Sequence, residues 1–153
     1  MKTLELKLPP LVLWILSAVA VAIAARLWPS ASLPFAGHRA AAVVVLLLGI
    51  MTAIAGVVEF RRARTTVNPL APVKASAIVD SGIYRLSRNP MYLGMALALG
   101  SLALWWASAV GAVLVLLFCS YLTQFQIKPE ERALLAKFGP PYAAYLQTVR
   151  RWL

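Results

Sequence analysis

Residues 91–127 carry no charged side chain. A segment of that length cannot lie in water, and it exceeds the roughly 20 apolar residues that one helix needs to cross a bilayer. In hydrocarbon, every backbone N–H and C=O must find a partner within the fold. The segment is therefore expected to fold back on itself as two helices. The break is placed at Trp105-Trp106-Ala107-Ser108, an aromatic pair of the kind that sits at a membrane interface. This predicts one span over about Met91–Leu104 and another over about Ser108–Phe125.

Two further apolar runs precede it, Leu8–Trp28 and Ala40–Val58. The first follows Lys2 and Lys7 and has the length of a spanning helix rather than that of a signal-peptide core. Trp28-Pro29-Ser30 through Pro34 reads as a turn, and Ala96 and Gly100 are small residues that would let helices approach closely. Composition agrees with a membrane protein: 61% of the residues are hydrophobic and 13% charged, against about a quarter charged in soluble domains. The predicted fold class is all-α, a polytopic membrane helical bundle of about four transmembrane helices plus cytosolic C-terminal helices. It forms one domain over 1–153: two N-terminal spans (8–58), a cytosolic connector (59–90), a helical hairpin (91–127) and the C-terminal helices (128–153).

The formal net charge of +10 is not read as a nucleic-acid footprint. The basic residues stand at the ends of apolar runs, where the positive-inside rule and anionic headgroups account for them. With four spans, every Lys and Arg except Arg26 and Arg39 falls on one side, together with both termini. That side is expected to be cytoplasmic. Cys119 is the only cysteine, which excludes an intrachain disulfide and a cysteine-based metal cluster; no metal site is expected.

Two polar segments flank the charge-free hairpin, Ser81–Gly94 and Glu130–Trp152. Taken singly, each has a plain structural reading. Asn89-Pro90 is a helix cap followed by Pro at the first helical position. Tyr84, Arg88 and Tyr92 suit an interfacial anchor, and Glu130 and Glu131 after Pro129 complement a helix dipole. Tyr142 and Tyr145 form either an aromatic wall for a cation or an amphipathic face. Glu59, beside Arg61 and Arg62, is an ion-paired span end, and His38 is a loop residue on the other side. Read without further context, the chain fits a small transporter or a non-enzymatic assembly or lipid-binding protein as well as an enzyme.

The two segments in combination carry a pattern. It runs Gly82-x-Tyr84-x-x-x-Arg88-Asn89-Pro90-x-Tyr92-x-Gly94. After the hairpin come Glu130-Glu131-x-x-Leu134-x-x-x-Phe138-Gly139-x-x-Tyr142-x-x-Tyr145 and then Arg151-Trp152. The pattern resembles the membrane methyltransferases that include isoprenylcysteine carboxyl methyltransferase and the phospholipid N-methyltransferases. Upstream, Thr66-Val67-Asn68-Pro69 looks like the bacterial members, for which the bacterial inner membrane is the expected location. The resemblance covers about residues 65–153.

The resemblance implies S-adenosylmethionine as cofactor, in a pocket open to the cytosol between the C-terminal helices and the hairpin. A lipophilic or small hydrophobic acceptor would arrive from the bilayer. It implies Tyr84, Arg88, Asn89, Pro90, Tyr92, Gly94, Glu130, Glu131, Tyr142 and Tyr145 as cofactor-binding residues. Glu131, Arg88 and Asn89 are the implied catalytic residues, and Arg150 and Arg151 hold an anionic group of the substrate. Eukaryotic carboxyl methyltransferases usually have His where this chain has Asn89. Asn hydrogen-bonds but does not titrate near neutral pH, so a proton-transfer role of the His type does not carry over.

Overall fold

The computed structural model describes residues 5–65 and 75–153. Lys2, Lys74, Pro69, Pro72 and the Thr66-Val67-Asn68-Pro69 motif lie outside the described residues. The described chain is helical: α1 (Pro10–Leu27), α2 (His38–Arg62), α3 (Pro90–Trp105), α4 (Ala109–Leu122), α5 (Lys128–Phe138) and α6 (Pro140–Thr148). Proline opens α1, α3 and α6, where its missing N–H costs nothing and its fixed φ suits the first turn. The break expected at 105–108 is present. Ala107 takes a positive φ of 48°, and the Ser108 hydroxyl caps α4 by accepting the Gly111 N–H at 3.0 Å.

Among the described residues, three helical stretches are long and apolar enough to cross a membrane: Pro10–Leu27, His38–Arg62 and Ala109–Phe138. α3 is shorter, at 16 residues, or about 24 Å at the usual rise per residue. Outward-facing Leu11, Leu16, Met51 and Leu116 are each more than half exposed, as helices surrounded by lipid require. The core lies between α1, α3 and α4, where Val21, Leu99, Phe118, Leu122 and Ile127 are buried almost completely.

α2 packs along α3, and their backbones touch at Gly49 and Gly94. A Cβ built on Gly94 would stand 2.5 Å from the Gly49 carbonyl oxygen. The close approach thus falls at this pair and not at Gly100, which has open space around it.

The expected stop before Pro129 is absent. α4 continues into α5 through one π turn, Thr123–Ile127, giving 30 unbroken helical residues. Pro129 cannot donate to Phe125 four residues earlier, and its ring crowds that carbonyl. The wider turn accommodates the ring: Lys128 N–H reaches back to Thr123 O, and Phe125 O accepts the Leu6 N–H instead, at 3.0 Å.

At one end of the bundle the α1–α2 loop meets the α3–α4 turn. Ser32 and Ser108 form an isolated bridge, and Leu33 N–H donates to Ala107 O at 2.8 Å. His38 starts α2 at this end, with Nδ1 2.8 Å from Phe35 O. The opposite end gathers the end of α2, residues 75–89, the start of α3, and α5 and α6. That end holds the pocket.

A candidate active site at one end of the bundle

An open cleft of about 860 Å³, its mouth included, lies between the end of α2, residues 75–92, α5 and α6. One part of its lining is apolar: Phe60, Ile78, Met91, Leu134 and Phe138. The rest is polar and aromatic: Tyr84, Arg88, Asn89, Tyr92, Glu130, Glu131, Tyr142 and Tyr145. The hairpin brings together side chains 38 or more positions apart in the sequence.

Glu130 stands on the first turn of α5. Its Oε1 accepts from the buried Tyr92 hydroxyl at 2.6 Å and from Gln126 Nε2. The π turn sets the rotation of Glu130 relative to α4, because Gln126 belongs to it. Glu131, the next residue, faces two guanidinium groups. Arg151 donates through Nε to Oε1 at 3.0 Å and through Nη2 to Oε2 at 2.7 Å. Arg88 Nη2 lies 3.3 Å from Oε1, and both of these side chains are nearly buried.

Arg88 also donates through Nη1 to Leu146 O at 3.3 Å, while its buried Nε has no partner among the described residues. A buried guanidinium N–H without a partner is a donor whose hydrogen-bonding capacity is unused.

Four tyrosines surround these charges. Tyr84 packs on Phe60 with ring centres 5.3 Å apart, and Tyr142 on Tyr145 at 5.9 Å. The Tyr145 hydroxyl donates to Tyr84 O at 2.8 Å, which ties α6 to the turn before α3. Burial is the main reason that Tyr84, Tyr142 and Tyr145 hold their hydroxyl protons well above the usual phenol range. The Tyr145 charge adds to this at Tyr84, and the Glu131 charge at Tyr142. Arg151 is pushed up, chiefly by its hydrogen bonds to Glu131.

The remaining expected site residues have packing or supporting positions, and Asn89 among them also lines the cleft. Pro90 is buried at the first position of α3, against the Gly56 position of α2. Gly94 sits in the α2–α3 crossing, off the pocket wall. Asn89 occupies the N-cap position of α3 without capping it; its Nδ2 donates to Arg151 O at 2.9 Å. Arg151 faces Glu131 from behind the lining, and the Arg150 side chain is exposed while its carbonyl accepts the Arg88 N–H. Glu59 is tied to Arg62 at 2.9 Å and to the Ser81 hydroxyl at 2.5 Å, and does not line the cleft.

Sequence reasoning missed the wall formed by Phe60 and Ala75–Val79. Ala75 and Val79 are buried in an irregular segment with no periodicity to mark them. Gln126 was also missed; its spacing of four from Glu130 on a helix was the available signal.

The fold and the cleft define a class: an α-helical integral membrane protein with a charged, tyrosine-lined pocket at one end of its bundle. The phospholipid methyltransferase family model matches residues 38–140, and the chain belongs to that family of membrane methyltransferases. The match covers α2 through α5, including the cleft's two halves up to Phe138. An uncharacterized protein of Haemophilus influenzae is 43% identical over 63 residues, which are 41% of this chain and all of that protein. No solved structure matches the chain.

Proposed function

We propose that this protein transfers a methyl group from S-adenosylmethionine to a lipophilic or small hydrophobic acceptor in the cleft. The observation that carries the reading is one pocket holding Arg88 with a bare Nε, Glu130, and four tyrosines, beside an apolar wall. The donor set fits the cofactor. Arg88 suits the methionyl carboxylate. Glu130 lines the cleft and suits the ammonium or ribose hydroxyls; the two hydrogen bonds found for it both fall on Oε1. Tyr84, Tyr92, Tyr142 and Tyr145 offer aromatic faces to a sulfonium cation and an adenine ring.

The bound cofactor supplies a methyl group already activated by positive sulfur. The protein's work is alignment and exclusion of water. Arg88 and Glu130 fix the polar ends, and the tyrosines keep the cation out of bulk water. Phe60, Met91, Leu134 and Phe138 receive the acceptor's hydrocarbon portion. Tyr92 and Gln126 hold Glu130 in one orientation, ready to accept a proton from an acceptor that loses one. Asn89 acts here through the Arg151 carbonyl and not as a titrating group. An isoprenylcysteine-type acceptor is therefore not favoured over a lipid amine or a thiol.

In this reading α3 is the fourth crossing, antiparallel to α2 and α4, and the pocket end faces the cytoplasm of a bacterial inner membrane. Among the described residues, that end holds every Lys and Arg except Arg26 and Arg39. A transport reading needs a carboxylate on a pathway, and Glu59 is instead engaged by Arg62 and Ser81.

Calorimetric titration of the purified protein with S-adenosylmethionine tests the reading. Saturable binding is expected, weakened in Arg88→Ala and Glu130→Gln. A labelled-methyl screen over lipids, amines and thiols then identifies the acceptor. No binding by the wild-type protein would overturn the proposal.

A further inference from the structure

The chain leaves α6 at Val149 with extended backbone, and residues 149–152 form an irregular strap behind the lining of the site. Arg88 N–H donates to Arg150 O at 3.0 Å, and Asn89 Nδ2 to Arg151 O at 2.9 Å. At the other side, Trp152 Nε1 donates to Thr123 Oγ1 at 3.1 Å, in the π turn. The strap therefore joins the start of α3 to the helix that carries Glu130 and Glu131.

The charges across this strap do not balance. The Glu131 carboxylate is a single negative charge between two guanidinium groups, Arg88 and Arg151. Geometry shows which one it belongs to. Arg151 makes two hydrogen bonds to it, at 3.0 and 2.7 Å, one to each oxygen. Arg88 reaches it through one nitrogen at 3.3 Å and keeps Nε without a partner among the described residues. The two-bond fork is the stronger and more directional arrangement. The Arg88 side chain is 10% exposed, so water contributes little to solvating its charge.

We propose that Arg151 is a positioning residue: by claiming Glu131, it leaves Arg88 available to bind the carboxylate of the cofactor's methionyl portion. This rests on the cofactor reading given above. Without Arg151, Glu131 is held 3.3 Å from Arg88 with no competing cation, and the two close on each other. The anion subsite is then neutralised from inside. Glu131 thereby controls how strongly the pocket distinguishes a carboxylate-bearing ligand from one without it, although Glu131 itself never receives the ligand's charge.

The test compares S-adenosylmethionine with decarboxylated S-adenosylmethionine, which keeps the sulfonium and the adenosine and lacks only the carboxylate. Both are titrated by calorimetry into the wild-type protein and into Arg151→Gln, Arg151→Lys and the double variant Arg151→Gln/Glu131→Gln. Arg151→Gln is expected to weaken S-adenosylmethionine binding about tenfold or more, the scale of one hydrogen bond to a charged group, and to change the decarboxylated ligand by no more than about twofold. Arg151→Lys retains part of the preference. The double variant recovers it, because the competing carboxylate is gone.

Equal loss of both ligands in Arg151→Gln, no loss of either, or no recovery in the double variant overturns the proposal. The failure of the underlying reading looks different: the wild-type protein itself then binds neither ligand.

Discussion

Gly94→Ala places one methyl group where two helices have no room for it. On the present backbone the new carbon would stand 2.5 Å from Gly49 O, 2.8 Å from Ala53 Cβ and 2.9 Å from Ala53 N. Two of these three neighbours are main-chain atoms, so no side-chain rotation relieves the clash. Ordinary contact begins near 3.4 Å. α2 and α3 must therefore separate by about 1 Å, the kind of backbone shift that overpacking forces at a cost of about 1–3 kcal/mol. Separation also thins the surrounding dispersion contacts, which lose roughly a quarter to a half of their depth over such a gap. We expect a loss near the upper end, about 2–3 kcal/mol. The displacement should carry Phe60 away from Tyr84 and widen the cleft. Gly100→Ala is the matched control: same helix, same methyl, and nothing within 4 Å. It should be neutral or stabilising by up to about 1 kcal/mol, since Ala is the better helix former. Equilibrium unfolding in detergent micelles measures both variants. Equal midpoints for the two would refute the claim that Gly94 serves the helix crossing.

Other predictions rest on separate features. Tyr92→Phe deletes the 2.6 Å hydrogen bond to Glu130 and should lower unfolding stability by about 2 kcal/mol, the scale for a bond to a charged group; an unchanged denaturation midpoint would contradict it. Gly82→Ala should destabilise by at least about 1 kcal/mol, because φ is +54° and the new carbon would meet Glu59 Cδ at 2.7 Å; thermal unfolding reads this directly. Tyr84, Tyr142 and Tyr145 have folded-state pKa values raised by burial. The stability they contribute is fully present below the unfolded phenol value of about 10 and is lost as pH rises past it. Ultraviolet titration should show these tyrosines ionising only together with unfolding, and free titration near pH 10 in the folded protein would refute the burial argument.

The elements written in local pattern were legible in the sequence. Leu8–Trp28 was expected and Pro10–Leu27 is found; the aromatic turn at 105–108 ends α3 where expected. α2 runs on to Arg62, past the expected end at Val58, because Glu59 and Arg62 pair one turn apart on the same helix. The features that were not legible depend on partners distant in the chain. Pro129 looked like a helix start because a proline usually is one. Its accommodation by a π turn depends on Leu6, far away at the N-terminal end. Gly94 belonged to a motif, and only the position of Gly49 reveals that it meets a helix there. The site was half legible. Its charged and aromatic residues stood out in an apolar chain, whereas the pairing of Glu131 with Arg151 and the wall at Ala75–Val79 have no periodic signature.

The uninterrupted helix from Ala109 to Phe138 has a consequence for where chemistry can happen. Its 30 residues measure about 45 Å, against a hydrocarbon thickness of about 30 Å. A rod of that length cannot be submerged whole. Its apolar first turns belong to oil, and its last turns, with Glu130, Glu131 and Arg132, emerge beside water. One rigid object thus straddles two solvents and presents its carboxylates at the seam. On the proposed methyl-transfer reading, a polar molecule approaching from water and a greasy one approaching from the bilayer would reach the same two turns of helix. Neither has to dissolve in the other's medium for them to meet.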